Sequence, residues 1–178
     1  MIRVFDFFFS SLGLIILSPL LVLIWIIGIF ENGSPIFKQE RLGYSQKLFL
    51  LFKYRTMQND TKSVATHLIN ESNITSFGLF LRRTKLDEVP QLFNVFLGDM
   101  SLVGPRPCLS NQKKLIRERK KRGIFKVKPG ITGLAQISGI NMKTPTKLAK
   151  TDLIMVNNMS LYHYFYYIIK TFLLVFKL

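Results

Sequence analysis

The sequence predicts a mostly helical α+β protein with a membrane-embedded N-terminal segment. An uncharged apolar block covers residues 7–30, and the alternating polarity of residues 36–55 is typical of a β-hairpin. The apolar stretches that follow are short and have helical spacing. At 178 residues the chain has room for one modest core. We therefore divide it into a membrane segment, residues 1–31, and one folded domain, residues 32–178.

Basic residues are concentrated after the apolar block. The chain has 25 Lys and Arg residues against 10 Asp and Glu residues, and only Arg3 is basic before Lys38. This excess attracts polyanions, which include nucleic acid, anionic lipid headgroups and phosphorylated substrates. The dense basic run at residues 113–122 has no aromatic side chain on which bases would stack. We therefore predict no nucleic-acid partner.

The apolar block is long enough to span a bilayer. As one helix, residues 7–30 would measure about 36 Å, against a hydrocarbon core of about 30 Å. Ser18 and Pro19 lie in its middle, and the proline kinks or breaks a helix. Two courses are open: a kinked transmembrane helix, which composition favours, and a re-entrant hairpin that returns to the same leaflet. In both, Arg3 and Asp6 stay at the interface and the basic domain is cytoplasmic.

A β-hairpin is predicted from "IFKQERLGYSQKLFLLFKYRTM", with its turn at residues 43–46 and Lys53 on its second strand. The polar residues 58–73 predict a mobile loop. The stretches "SFGLFLRRT" and "VPQLFNVF" then predict two short helices. The glycine- and proline-rich residues 98–107 and 129–139 are predicted to be loops.

The last third of the chain predicts amphipathic helices around the domain. The basic residues 111–128 are typical of a helix that is solvated or contacts a membrane surface. Thr144 and Pro145 are a typical start for the helix that follows. The aromatic stretch "SLYHYFYYIIKTFLLVFKL" favours an interfacial helix, because tyrosine rings prefer the headgroup level.

The one pair of adjacent acids is Asp87 and Glu88, directly after the basic residues of "RRTKLDE". Pro90 is tolerated in a first turn and disruptive further in, so we expect a helix to begin near Asp87. A helix N-terminus attracts phosphate through its free N–H groups and its dipole. Arg82 and Arg106 would add guanidinium groups that bind phosphate through two hydrogen bonds. The sequence therefore predicts a phosphate site here.

Two interpretations of the acidic pair are open from the residues alone. In one, nearby cations keep a carboxylate ionised, this carboxylate attacks phosphorus, and its neighbour binds Mg²⁺ together with substrate phosphates. In the other, Asp87 and Glu88 cap the helix and pair with Arg82 and Arg83, as isolated acids at a helix start commonly do. A scaffold that binds anionic lipid through residues 111–128 would explain the charge but not the pair.

The context of the pair is more specific than the pair itself. The stretch "LRRTKLDEVPQLFNVFLGDMSLVGPRP", followed by "KPGITGLAQISG", resembles the bacterial sugar transferases, the small monotopic phosphoglycosyl transferases. The resemblance extends to Ser18 and Pro19 and to the segments "FKQERLG", "FKYRTM" and "TDLIMVNNMSL". It implies transfer of a sugar-1-phosphate from a UDP-sugar to polyprenol (undecaprenyl) phosphate, with release of UMP and a need for Mg²⁺. Such a reaction begins the assembly of a glycoconjugate, a polysaccharide or lipopolysaccharide.

The resemblance also implies roles for single residues. Asp87 would be the nucleophile that forms a covalent phospho-sugar adduct, and Glu88 would bind Mg²⁺. Four further positions match substrate- and phosphate-binding residues: Lys53, Arg82, Arg106 and Asp152, the last as a structural or a substrate contact.

The family's N-terminal helix is broken at the serine-proline pair and re-enters. The resemblance therefore favours a re-entrant hairpin at Ser18 and Pro19, whereas composition favoured a kinked transmembrane helix. It implies that residues 32–178 form a catalytic domain at the cytoplasmic face of the inner membrane, against anionic headgroups.

The sequence departs from the common family pattern at four positions. Lys85, Leu134, Ile140 and Met155 stand where serine, tryptophan, arginine and tyrosine are usual. Because the acidic pair is unchanged, we expect the reaction class to hold. The departures lie where contacts to the sugar or the nucleotide are plausible, so the resemblance leaves the identity of the sugar open.

Overall fold

The computed structural model describes residues 1–58 and 73–176, and it confirms a mostly helical fold with small sheets. Helix α1, Ile2–Asn32, takes up the whole apolar block. Pro19 lies inside it, and Ser18 Oγ donates at 2.8 Å to Ile15 O, the carbonyl that the proline leaves without its helical donor. Within the described ranges, α1 is the one helix long and apolar enough to cross a membrane. The helix is continuous through Pro19, and the re-entrant course stays a prediction.

The predicted β-hairpin is confirmed. Strand β1, Ile36–Leu42, pairs antiparallel with β2, Leu48–Tyr54, in an unbroken register. The turn lies at residues 43–46 as expected, and it includes two residues in the left-handed region, Ser45 and Gln46. Apart from its two end residues, the loop predicted at residues 58–73 lies outside the described part of the chain.

Two short helices follow as predicted: α2, Ser76–Thr84, and α3, Gln91–Leu97. Thr75 caps α2, because its Oγ1 accepts from Gly78 N at 2.9 Å. Gly78 lies so close to the end of β2 that a Cβ atom there would be 2.2 Å from Thr56 O. The absence of a side chain at Gly78 is what lets α2 pack directly on this backbone.

A second, parallel sheet was not predicted. Strand β3, Ser101–Val103, pairs with β4, Gly130–Thr132, in two stretches that we expected to be loops. Three-residue strands carry too little alternation to be recognised in a sequence. The remaining helices are α4, Lys113–Lys121, α5, Leu134–Ile137, α6, Pro145–Asn157, and α7, Leu161–Phe176.

The start of α1 is anchored by a buried carboxylate. Asp6 is 2% exposed, and its Oδ1 accepts hydrogen bonds of 2.9 Å each from Ser101 Oγ, Leu102 N and Tyr164 Oη. The carboxylate of Asp6 is therefore paired inside the protein, and its position at the membrane interface stays a prediction. Three donors from β3 and α7 converge on one oxygen, and this convergence joins the apolar helix to the domain.

The second half of α1 also rests on the domain. Tyr54 Oη donates to Leu21 O at 2.7 Å, and Ile24 is buried in a cluster with Tyr54 and Leu81. The opposite face of the helix is apolar and open, as at Ile15, which is 71% exposed. The helix α1 thus lies along the domain with one face and presents apolar side chains outward on the other.

The amphipathic helices divide their faces between core and surface. On α4, Leu115 and Arg119 are buried although the helix is strongly basic. On α7, Tyr164 and Tyr167 lie in the core, whereas Tyr162 is 73% exposed. An interfacial position for these helices stays a prediction.

Candidate active site

The acidic pair lies in a tight turn between α2 and α3. Helix α2 ends at Lys85, whose φ of 59° and ψ of 11° lie in the left-handed region. Leu86–Glu88 then forms one 3₁₀ turn, closed by a hydrogen bond of 3.1 Å from Glu88 N to Lys85 O. A helical turn thus begins near Asp87 as expected, but it is 3₁₀, and the α-helix begins only at Gln91, after Pro90.

Glu88 is held by two cations that come from distant parts of the chain. Its Oε1 accepts from Lys53 Nζ on β2 at 2.8 Å and from Arg106 Nη2, after β3, at 2.6 Å. Burial by itself would raise the pKa of Glu88, but the charges of Arg106 and Lys53 outweigh it and lower the pKa well below the usual range. Glu88 is therefore an anion at neutral pH.

Asp87 has a different environment from its neighbour. It is 8% exposed, and it takes part in none of the ion pairs formed by the described residues. Burial raises its pKa and the charge of Glu88 raises it further, against the opposing effects of Lys53, Lys85 and Arg82. From the sequence we expected nearby cations to keep the carboxylate ionised, but in the folded chain burial has the larger effect on the pKa of Asp87. The two adjacent carboxyl groups thus have pKa values shifted in opposite directions.

The other predicted cations surround the pair. Lys53 is 14% exposed, and burial lowers its pKa while Glu88 partly restores it. Arg82 does not pair with either acid: its Nε donates to Thr56 Oγ1 at 2.9 Å, and it acts on Asp87 through its charge. Glu88 pairs with Lys53 and Arg106 rather than with Arg82 and Arg83, so the alternative of a local cap with those arginines is not the observed geometry.

Asp152 lies farther back, behind Arg106. It is 1% exposed, and its Oδ2 accepts from Arg119 Nε at 2.9 Å and from Arg119 Nη2 at 2.7 Å. The remaining nitrogen of that fork, Nη1, donates to Arg106 O at 2.8 Å. The structure therefore brings Asp152 to the site through Arg119 and the Arg106 backbone, and not through contact with Asp87 or Glu88.

Two clefts meet at the site. One, of 410 Å³, runs from Glu88 and Arg106 towards the middle of α1 and the end of α7; its apolar lining includes Leu17, Leu92, Ile137, Leu174 and Val175. The other, of 420 Å³, is more polar and includes Arg41, Asn141 and Lys143. Both clefts are lined by Lys85, Arg106 and Gln136. The site thus has an apolar approach and a polar approach that join at Arg106.

Comparison with known families identifies the architecture. A family model described as bacterial sugar transferase matches residues 1–178, the full length of the chain.

The chain belongs to the bacterial sugar transferase family.

Individual relatives agree with this assignment. The undecaprenyl-phosphate galactose phosphotransferase of Salmonella typhimurium is 38% identical over 78% of this chain and 33% of its own length. The UDP-glucose:undecaprenyl-phosphate glucose-1-phosphate transferase of Klebsiella pneumoniae is 40% identical over 90% of this chain and 37% of its own. The exopolysaccharide production protein PSS of Rhizobium leguminosarum is 37% identical over 89% of this chain and 86% of its own length. The chain thus spans about a third of the Salmonella and Klebsiella proteins and most of the Rhizobium protein.

Two functional candidates in this sugar transferase were missed by sequence reasoning. Arg119 lies in the basic run that we expected to be solvated or at a membrane surface, yet it is 2% exposed. Arg41 is also buried, in the segment "FKQERLG", where its Nη1 donates to Pro107 O at 3.0 Å. A single sequence does not distinguish a buried arginine from its solvated neighbours. Only the resemblance of the "FKQERLG" segment pointed towards Arg41.

The residues of this transferase fit a magnesium ion shared with substrate better than a protein-only metal site. Within the described ranges, no group of three or more His, Cys, Asp or Glu side chains converges. Both cations contact Oε1 of Glu88, and among the described residues no hydrogen bond uses Oε2. Mg²⁺ is commonly held by one or two carboxylates plus substrate phosphates. The Oε2 atom of Glu88 is a carboxylate ligand of this type.

Proposed function

We propose that this sugar transferase moves a sugar-1-phosphate from a UDP-sugar to undecaprenyl phosphate, releasing UMP, through a covalent adduct on Asp87. The names of the Salmonella and Klebsiella relatives support this donor and acceptor class. One geometric observation carries the assignment of roles. Glu88 is held by two cations through one oxygen, whereas Asp87 beside it is outside the ion pairs of the described chain. One acid is fixed in place, and the other is left to react.

The reaction proceeds in two displacements at one phosphorus. In the first, an Asp87 carboxylate oxygen bonds to the phosphorus attached to the sugar, the bond from that phosphorus to the bridging oxygen breaks, and UMP leaves with the oxygen. In the second, a phosphate oxygen of undecaprenyl phosphate attacks the same phosphorus. The bond to Asp87 breaks, the carboxylate is restored, and the sugar is left on undecaprenyl diphosphate.

The surrounding cations stabilise charge on the phosphate groups. Arg106 borders both clefts, so one guanidinium contacts the donor phosphates and the acceptor phosphate in turn. Lys53 contacts the same oxygen of Glu88 as Arg106 does. Arg82 places a positive charge near Asp87. We assign Asp152 the structural one of its two predicted roles, and its pairing with Arg119 supports this.

Glu88 Oε2 is the protein ligand that we assign to Mg²⁺. When bound there, the ion supplies positive charge that offsets the charge developing on the departing phosphate. The charge and the position of the Glu88 carboxylate are set by protein groups alone. Lys53 and Arg106 keep its carboxylate anionic and hold Oε1, which leaves Oε2 outside the hydrogen bonds of the described residues.

The two clefts match the two substrates. The polar cleft, with Arg41, Asn141 and Lys143, suits the UDP-sugar. The apolar cleft ends on α1 and α7 and suits the first isoprene units of the lipid, whose phosphate then lies at Arg106. Ile140, one of the departures from the family pattern, lines the polar cleft.

The contacts between α1 and the domain support a membrane position for the protein. Asp6 near one end of the helix and Ile24 near the other are both buried against the domain. A helix that crossed the bilayer would leave one end roughly 30 Å from a domain on the other side. These contacts support a re-entrant α1 with its proposed bend at Ser18 and Pro19, and the basic residues after α1 favour the cytoplasmic face, among anionic headgroups.

The test of the covalent mechanism is a trapped adduct. Purified protein is incubated with Mg²⁺ and a panel that includes UDP-glucose and UDP-galactose, without acceptor, and the peptide containing Asp87 is weighed by mass spectrometry. We expect a phospho-sugar mass with one or more donors, and we expect Asp87→Asn to abolish both the adduct and UMP release. Glu88→Gln should severely weaken UMP release. Full activity of Asp87→Asn would refute the nucleophile assignment.

The same panel separates the enzyme from a lipid-binding scaffold. A scaffold would bind anionic vesicles equally well as wild type and as Asp87→Asn, and would release UMP from no donor. We expect vesicle binding to be equal in the two proteins, because α1 and the basic surface are unchanged. UMP release by wild type alone is the result that assigns a transferase.

A cysteine at position 2 tests the topology. Native Cys108 is fully buried and gives little background with a membrane-impermeant thiol reagent. For a re-entrant α1, we expect labelling of Ile2→Cys in inverted inner-membrane vesicles and none from the periplasmic side. Labelling from the periplasm would show that α1 spans the membrane.

A further inference from the structure

The backbone that carries Arg106 is restrained at every carbonyl. We call residues 105–108 the Arg106 loop. Its four successive carbonyl oxygens each accept one hydrogen bond, in chain order from Gly130 N at 3.0 Å, Arg119 Nη1 at 2.8 Å, Arg41 Nη1 at 3.0 Å and Leu42 N at 2.9 Å. Two residues of the loop, Pro105 and Pro107, are prolines, which offer no N–H group of their own. The loop is thus held from outside, by its carbonyls.

The two central donors are unusual for a loop, because both are buried guanidinium groups. Arg41 is 6% exposed and Arg119 is 2% exposed. Burial, together with the nearby positive charge of Arg106, lowers the pKa of Arg41 to about 10. Buried like charges are unfavourable unless they are paired and hydrogen-bonded. The fold tolerates this arrangement at the one loop that delivers Arg106 to Glu88.

Each guanidinium is itself fixed by a second partner. Arg119 donates through Nε and Nη2 to Oδ2 of Asp152, and its Nη1 donates to Arg106 O at the same time. Arg41 donates through Nη2 to Gln39 Oε1 at 2.5 Å and through Nη1 to Pro107 O. A planar fork with several donors satisfies two partners at once in one orientation, which a single ammonium group does not do.

We propose that Arg41 and Arg119 are positioning residues that fix the Arg106 loop, so that the Arg106 guanidinium is directed at Glu88 and at the phosphate of the substrate. This proposal rests on the proposed transfer reaction. Neither arginine touches Asp87 or Glu88 in the hydrogen bonds of the described chain. Each acts through the backbone of the loop, on a contact of 2.6 Å between Arg106 Nη2 and Glu88 Oε1.

The alternative is that the two arginines only stabilise the fold. The two roles differ in what a lysine achieves. Lys at position 119 keeps the positive charge beside Asp152 but does not supply donors to both Asp152 and Arg106 O. Lys at position 41 keeps the charge and donates a hydrogen bond either to Gln39 Oε1 or to Pro107 O, but not to both. A structural role therefore predicts rescue by lysine, and a positioning role does not.

The experiment measures Arg119→Lys and Arg41→Lys with UDP-glucose and UDP-galactose as donors and undecaprenyl phosphate as acceptor. We expect kcat to fall about 10- to 100-fold, because misplacement of a catalytic group by about 1 Å costs rates of this order. The donor KM should change less than about threefold, since the other cations of the polar cleft still bind the ground state. The melting temperature should stay within a few degrees of wild type.

Arg122→Lys is the matched control. Arg122 directly follows α4 and pairs with Glu118 at 2.7 Å, and among the described residues it makes no hydrogen bond to the Arg106 loop. Its kcat should equal that of wild type. Lysine variants at 41 and 119 with wild-type kcat would overturn the proposal. An inactive wild type would instead overturn the transfer reaction itself, so the two failures are distinguishable.

A double variant covers the case in which Arg119→Lys folds poorly. Arg119→Met with Asp152→Leu removes both charges of the buried pair, and such replacements commonly keep or improve stability. The Arg106 carbonyl still lacks its donor. We expect a wild-type melting temperature with kcat still reduced at least tenfold. Recovery of kcat together with stability would mean that Arg119 is merely structural.

Discussion

Asp6 is the residue whose removal should most clearly detach α1 from the domain. Its Oδ1 accepts three hydrogen bonds of 2.9 Å, and Tyr164, one of the donors, is completely buried. Asp6→Ala removes the acceptor and leaves three donors without a partner. Each such loss costs about 1–3 kcal/mol, and the losses are not fully additive, so we expect roughly 4 kcal/mol. A natural domain has only about 5–15 kcal/mol of stability in total.

The assay is thermal unfolding in detergent micelles. For a chain of this size about 4 kcal/mol corresponds to a decrease in Tm of roughly 10 °C. Asp6→Asn keeps an amide oxygen in the position of Oδ1 and should cost less than about 2 kcal/mol. Ser11→Ala is the control, because Ser11 Oγ donates only to the carbonyl of Phe7 in its own helix. If Asp6→Ala unfolds within about 2 °C of Ser11→Ala, the reasoning about this anchor is refuted.

Three further outcomes follow from the packing. Lys53→Met removes one of the two cations on Glu88 and should lower transfer activity about 10- to 100-fold, whereas the exposed Lys47→Met should not; equal UMP release by both variants would contradict the assigned role. Gly78→Ala puts a Cβ atom 2.2 Å from Thr56 O, so we expect a loss of about 3 kcal/mol or more, seen as a lower Tm and poor expression; a wild-type Tm would exclude the close approach of α2. Burial raises the pKa of Tyr54 from 10.0 to about 12, so between these pH values the folded chain keeps a proton that the unfolded chain releases. Stability must fall as pH rises through that window; denaturant unfolding should show a smaller fall for Tyr54→Phe, and equal falls would count against the burial of this hydroxyl.

Much of the local structure was predictable because its causes are local. The alternating pattern of β1 and β2 specified the hairpin, and apolar spacing specified α2 and α3. The start of α6 followed from Thr144 and Pro145. Strands β3 and β4 were missed because segments of three residues form strands only through their pairing with each other, and the two are distant in the sequence.

The site shows the same division. That Asp87 and Glu88 lie beside cations was evident from their neighbours in the sequence. Their actual partners were not, because Glu88 pairs with residues 35 and 18 positions away, Lys53 and Arg106. Arg82, which is closer in the sequence, donates to Thr56 Oγ1 instead.

The sequence by itself determined the long apolar helix, the hairpin, the acidic pair in its basic surroundings and, through the resemblance of its motifs, the family. These features depend on residue type and on spacing along the chain. Only the tertiary structure decided that Glu88 is held by two cations while Asp87 joins no ion pair of the described residues, that Asp6 is an anchor, and that Arg41 and Arg119 are buried behind Arg106. Burial and long-range pairing control these outcomes, because desolvation and the direction of a side chain depend on atoms that are distant in sequence.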